Sequence, residues 1–148
     1  MACEFLWNDV QTVSLNGPVL LQTSIPCSKG YVYHENETGN FILKGIVNGY
    51  GCFAQYQVTF NGNIAIPEGG TTTPIAVALT VNGEPRLTSQ AIYTPAAAEE
   101  YGNVTSTAII KVPKGCCFSM SVDAVPVGTS PATVIEVQNA NLTVSRIA

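Results

Sequence analysis

The strongest constraint on this chain is a two-residue period. From Cys52 onward apolar and polar residues alternate in run after run, the pattern of strands that keep one face on a core and one on solvent. Cys52, Ala54, Tyr56, Val58 and Phe60 fall on one face, with Phe53, Gln55, Gln57 and Thr59 on the other. Ile75, Val77, Leu79 and Val81 alternate with Ala76, Ala78 and Thr80, and Val104, Ala108, Ile110 and Val112 with Thr105, Thr107 and Lys111. Phe118, Met120 and Val122 do so against Ser119 and Ser121, as do Leu142 and Val144 against Thr143 and Ser145.

Less regular β-rich stretches fill the first third, at Thr12 to Leu15, Val19 to Thr23, Tyr31 to His34 and Phe41 to Val47. Asn16-Gly17, Asn48-Gly49, Asn61-Gly62 and Asn82-Gly83 predict tight turns, because Asn and Gly tolerate positive φ. Frequent Pro, Gly and β-branched residues leave helix little room, and only Pro95 to Tyr101 reads as a single helical turn. The expected fold class is therefore all-β: one jelly-roll β-sandwich over residues 12–148, with about 8–10 short antiparallel strands. Residues 1–11 stand outside the pattern and are expected to form an arm or lid. They either pack on the sandwich as a terminal strand or dock on another subunit through Phe5, Leu6 and Trp7.

Composition narrows the function. Charged residues are only 11% of the chain against 46% hydrophobic, which predicts a surface that leans on neighbours. No apolar run reaches the roughly 20 residues of a spanning helix, and the N-terminus lacks a signal-peptide pattern, so a soluble, unprocessed chain with no membrane partner is expected. Lys29, Lys44, Arg86, Lys111, Lys114 and Arg146 are scattered along a chain of net charge −4, which argues against a nucleic-acid partner. Cys3, Cys27, Cys52, Cys116 and Cys117 show no zinc-knuckle spacing. Free, largely buried thiols are the favoured reading, with one or two disulfides or a metal site as alternatives.

No catalytic, metal or cofactor motif emerges. His34 is the only histidine, too little for a triad or a His-based metal centre, and its place before a polar turn reads as a strand-end residue. Glu35 with Glu37, and Glu99 with Glu100, lie in polar turns rather than across an apolar cleft. The stretch Glu68 to Pro74 lacks the Lys and the helix of a phosphate loop and reads as a strand connection. A non-enzyme with no cofactor is expected. The sequons at Asn36, Asn103 and Asn141 are read as chance.

Several segments in order resemble the jelly-roll domain shared by tumour necrosis factor, complement component C1q and bacterial spore-surface glycoproteins. They are Phe41-Ile42-Leu43-Lys44-Gly45, the strand Cys52 to Phe60, Ala76 to Glu84 with its Asn-Gly turn, Val112-Pro113-Lys114-Gly115 and Ala140 to Val144. More closely, Phe60 to Ala65, Asn82 to Pro85, Tyr93 to Ala97, Val112 to Cys117 and Val137 to Leu142 are similar to segments of small phage- and prophage-encoded virion proteins. The resemblance implies a homotrimer packed through one sheet, with Phe53 and Tyr56 as expected trimer contacts. It also implies a structural role: decoration of a tailed-phage head against the major capsid protein, on the virion after synthesis in the bacterial cytoplasm. A receptor-binding fibre tip or adhesin and a spore or cell-surface coat subunit are the alternatives.

Overall fold

The computed structural model describes residues 2–27, 31–45 and 52–147. The expected Asn48-Gly49 turn and the end of the Phe41 to Val47 stretch lie outside them. Twelve strands follow in order among the described residues: β1 (Ala2–Trp7), β2 (Gln11–Ser14), β3 (Gln22–Ile25), β4 (Val32–His34), β5 (Phe41–Lys44), β6 (Phe53–Ala65), β7 (Ile75–Val81), β8 (Glu84–Pro85), β9 (Ala91–Tyr93), β10 (Gly102–Pro113), β11 (Cys117–Val125) and β12 (Val134–Arg146). They build two antiparallel sheets. The first has the order β10-β6-β12-β1-β3, with β2 beside β12; the second has β4-β5-β11-β7-β8, with β9 beside β7. The strands outnumber the expected eight to ten, and β6, β10 and β12 are 12 or 13 residues long rather than short.

The period-two pattern is what the sandwich uses. Ala54, Tyr56, Val58, Phe60 and Ile64 of β6 are fully buried, and Val104, Ile110 and Val112 of β10 and Leu142 and Val144 of β12 join them. Against them the second sheet sets Phe41 and Leu43 of β5, Val77 and Leu79 of β7, and Met120 and Val122 of β11. Each large side chain taken from water here stabilises the fold by about 1.5–3 kcal/mol. Strand β7 departs from simple alternation. Ala76, Ala78 and Thr80, expected on a solvent face, are also buried, and the two alanines pack with Val125 and Val127.

Four expectations are corrected. Residues 2–7 do not form the docking arm but take the other expected course, a strand packed on the sandwich: β1 lies inside the first sheet between β12 and β3. Cys3 and Phe5 alternate inward, and both are 2% exposed. Asn61-Gly62 is not a turn but the middle of β6, where glycine makes room for the Phe60 ring at 3.0 Å from a hypothetical Cβ. Asn82-Gly83, with φ of 52° and 83°, does join β7 to β8. Pro95 to Tyr101 forms bends and a turn rather than a helical turn, and the short 3-10 turn falls at Leu87–Ser89.

The cysteines are the fourth correction. Cys3 is bonded to Cys27, two residues beyond β3, and closes the β1–β3 pair covalently. Cys52, Cys116 and Cys117 are free but exposed rather than buried. Cys117 shares the outward face of β11 with Ser119, because Phe118, Met120 and Val122 take the inward one. Among the described residues, long strand β10 has a sheet partner on one side only. From just past β8, the Arg86 guanidinium donates to the Ile109 carbonyl of this strand at 3.1 Å.

Candidate functional site

The outward face of the first sheet is ordered by strand register into rows. Thr107, Thr59, Thr143 and Glu4 stand side by side on β10, β6, β12 and β1; Thr105, Asn61, Asn141 and Leu6 form the next row. On the other side of the threonines come Ile109, Gln57, Ser145 and Ala2. These positions point outward because their neighbours in each strand are the core residues, so the alternation that builds the core also builds the array.

The side chains of this face bond one another. The hydroxyls of Thr59 and Thr107 lie 3.0 Å apart. The Asn103 amide donates to the side-chain oxygens of Asn61 at 2.9 Å and Asn63 at 3.1 Å, and the Thr105 hydroxyl to Asn61 at 3.2 Å. The Asn63 amide continues the chain to Asn139 at 3.2 Å. Apart from Glu4 at one margin and Lys111 at another, these rows carry donors and acceptors without charge. Amides and hydroxyls can be buried against a matching surface at far lower cost than charges. Ile109, 54% exposed, is an apolar residue amid them, with Leu6 and Ala2 at the β1 margin.

The residues expected to make contacts divide. Phe5 is in the core, edge-on to Phe41 at 4.7 Å and to His34 at 4.8 Å, so it cannot serve as a docking side chain while the sheet is intact. Trp7 is half-buried against the core, whereas Leu6 is half-buried in an outer row. Tyr56 is fully buried, and its hydroxyl donates to the Lys44 carbonyl at 2.5 Å, tying the sheets together rather than meeting another subunit. Burial pushes its pKa up. Phe53, 37% exposed, remains at the surface with the Lys111 ammonium 4.4 Å from its ring centre.

His34 ends β4, half-buried, stacked on Phe41 at 4.3 Å. One ring nitrogen is 2.9 Å from the Thr38 carbonyl and the other 3.2 Å from the Thr23 hydroxyl. Burial lowers its pKa, opposed by the Thr38 bond and by Glu35. Both nitrogens are thus engaged, one closing the β4–β5 loop and the other holding the edge of the second sheet to β3 of the first. Among the described residues no three of His, Cys, Asp and Glu are grouped so as to hold a metal, and no helix is long and apolar enough to cross a membrane. Glu35, Glu37, Glu99 and Glu100 are exposed in turns.

One open cleft of about 630 Å³ lies at the sandwich end between the β6–β7 and β11–β12 loops. Its lining surface is mostly apolar, from Ile66, Pro67, Pro131 and Ala132, with Glu68 and the hydroxyls of Thr71, Thr73, Ser130 and Thr133 among them. The stretch from Glu68, read from sequence as a plain connection, is one wall of it. The amide rows were also missed, although the same alternation that marks the core face marks them.

No protein-family model matches the sequence, and no curated protein matches it. Solved structures do. The chain is similar to the globular domain of zebrafish complement 1qA protein, with a TM-score of 0.62, 14% identity and 99% of this chain and 97% of that one covered. It is similar to Eiger TNF from S. frugiperda, at 0.66, 14%, 100% and 92%. Murine APRIL matches at 0.62, 12%, 99% and 100%. At these identities the likeness is one of fold, a jelly roll of the TNF/C1q type.

Proposed function

We propose that the chain is a non-catalytic structural subunit that assembles side by side as a homotrimer through the outward face of its first sheet. The observation that carries this is the nearly uncharged register of Thr59, Asn61, Asn63, Asn103, Thr105 and Thr107. A face whose amides and hydroxyls already bond one another can be buried without stranding charge. Homotrimers are also what the resemblance implies for this type of jelly roll.

In the finer reading the trimer decorates the head of a tailed phage. A protein that binds only the assembled shell stabilises it by mass action, which needs a surface and no chemistry. The Cys3–Cys27 disulfide suits a particle that spends its working life outside the reducing cytoplasm in which it is made. With Phe5 committed to the core, contact with the shell falls to the loops at the ends of the sandwich. A second reading, a surface-recognition tip, is favoured by the cleft and its hydroxyl and carboxylate lining.

Light scattering coupled to size-exclusion chromatography tests the proposal. The expected mass is that of three subunits, falling to one when Gln57→Arg and Thr107→Arg place like charges on the face, with the melting temperature unchanged. A monomeric wild type, or a trimer indifferent to both arginines, overturns it. Co-migration with undecorated capsids separates decoration from recognition, for which glycan binding at the cleft is the expected result.

A further inference from the structure

Strand direction sorts the charges of this molecule. β6 starts at Phe53 at one end of the sandwich and finishes at Ala65 at the other, and β10 and β12 run back beside it. Register therefore places Lys111 beside Gln55 and Arg146 beside Tyr56, while the Lys114 amide donates to the Cys52 carbonyl at 2.9 Å. On the second sheet Lys44 pairs with Cys117. The bond from the Tyr56 hydroxyl to the Lys44 carbonyl puts all four cations at the same end. They are four of the six basic residues in the chain. The Arg146 guanidinium rests 4.1 Å from the Tyr31 ring centre, as Lys111 rests on Phe53.

The opposite end is acidic. Glu136 pairs with Ala65, and the Glu99 amide donates to the Ile66 carbonyl at 2.7 Å, with Glu100 next to it. Glu68 stands in the β6–β7 loop on the wall of the cleft. Glu68, Glu99 and Glu100 are exposed. Glu4, opposite Thr143 and so level with Thr59, lies midway between the ends.

We propose that the basic end of one copy binds the acidic end of another, so that copies stack head to tail. The partner set of charges is displayed by the molecule itself, and a net charge of −4 opposes approach in other orientations. Such a contact joins two different surfaces, so repetition extends an open column instead of closing a ring. It uses the ends of the sandwich and not the amide face, and it goes beyond the side-by-side assembly proposed above.

Sedimentation at ~0.01 M and ~1 M salt tests it, since screening shortens the reach of charge from about 30 Å to about 3 Å between them. The wild-type mass is expected to rise at least about twofold at low salt. Lys111→Glu with Lys114→Glu cancels the charge of the basic end, and Glu68→Lys with Glu100→Lys cancels that of the acidic end; all four positions are exposed. Each double variant alone should keep its high-salt mass at low salt, and an equal mixture of the two should regain the rise. A wild-type mass indifferent to salt, or a mixture no heavier than its components, overturns the proposal. The high-salt mass reads the side-by-side assembly separately, so a monomer there sinks the trimer and leaves the column standing.

Discussion

The side-chain amide of Asn139 donates to both the side-chain oxygen of Asn8, at 2.8 Å, and its backbone carbonyl, at 3.3 Å, across 131 residues of sequence. Asn139 has a φ of 56° and sits where the β6–β12 register shifts, between Gln138 and Asn141. It thus fixes an irregular point of β12 to the chain leaving β1. Asn139→Ala, which loses both bonds and strains the backbone, is expected to cost about 2 kcal/mol. Asn139→Gly, which keeps the φ, should cost less. Chemical denaturation of the two variants checks the order.

The Cys3–Cys27 bond closes a loop with a separation of 24 residues. Cys27→Ser is expected to lower stability by about 3 kcal/mol through the freedom it returns to the unfolded chain. A reducing agent should lower the wild-type melting temperature by a similar amount and leave that of the variant unmoved.

Asp123 is half-buried on β11, its carboxylate accepting from the Ser121 hydroxyl at 2.7 Å. Burial raises its pKa, against the opposing influence of Ser121 and nearby Thr80. A raised value in the folded state means a contribution that is favourable below the unfolded pKa of 3.8 and lost as pH rises through the folded one. Asp123→Asn should therefore stabilise the protein at neutral pH, with the gain vanishing toward acid. Melting curves from pH 3 to pH 7 read this directly.

His34 has the opposite sign. Its folded pKa is depressed below 6.5, chiefly by burial, so the stability it contributes is present above that value and lost as pH falls through the folded one. As the sole histidine it should account for a decline in melting temperature on acidification below neutrality. His34→Gln is expected to flatten that part of the curve.

Gly45 ends the segment Phe41-Ile42-Leu43-Lys44-Gly45, and a Cβ built on it would overlap the Pro113 carbonyl. Its amide donates to the Cys116 carbonyl at 2.9 Å, so the β10–β11 turn is drawn tightly against it. Gly45→Ala should destabilise by about 1–3 kcal/mol or more, the cost of overpacking a core. Its soluble yield and melting temperature are the readout.

Much of the sandwich was legible because core and solvent faces alternate along β6, β10, β11 and β12. The arm expectation arose where the same rule was present but obscured: Cys3, Phe5 and Trp7 alternate inward, and Leu6 between them hides the period. Cys27 gave no local sign of its partner, since the bond depends on β3 lying beside β1. The basic end was invisible for the same reason. Lys44, Lys111, Lys114 and Arg146 are far apart in sequence, and antiparallel register alone brings them together. Asn61-Gly62 carries a turn signal that the pairing of β6 with both β10 and β12 overrides.

Among the described residues strand β10 has no ladder partner on its outer side, and an unpaired strand edge invites any passing extended chain to join the sheet. Arg86 answers this by placing its guanidinium on the Ile109 carbonyl, so that an added strand would have to displace a charged, hydrogen-bonded group before it could zip on. The border is thus guarded by a side chain from just past β8, so the edge is obstructed while the outward amide face of the same sheet stays uncovered.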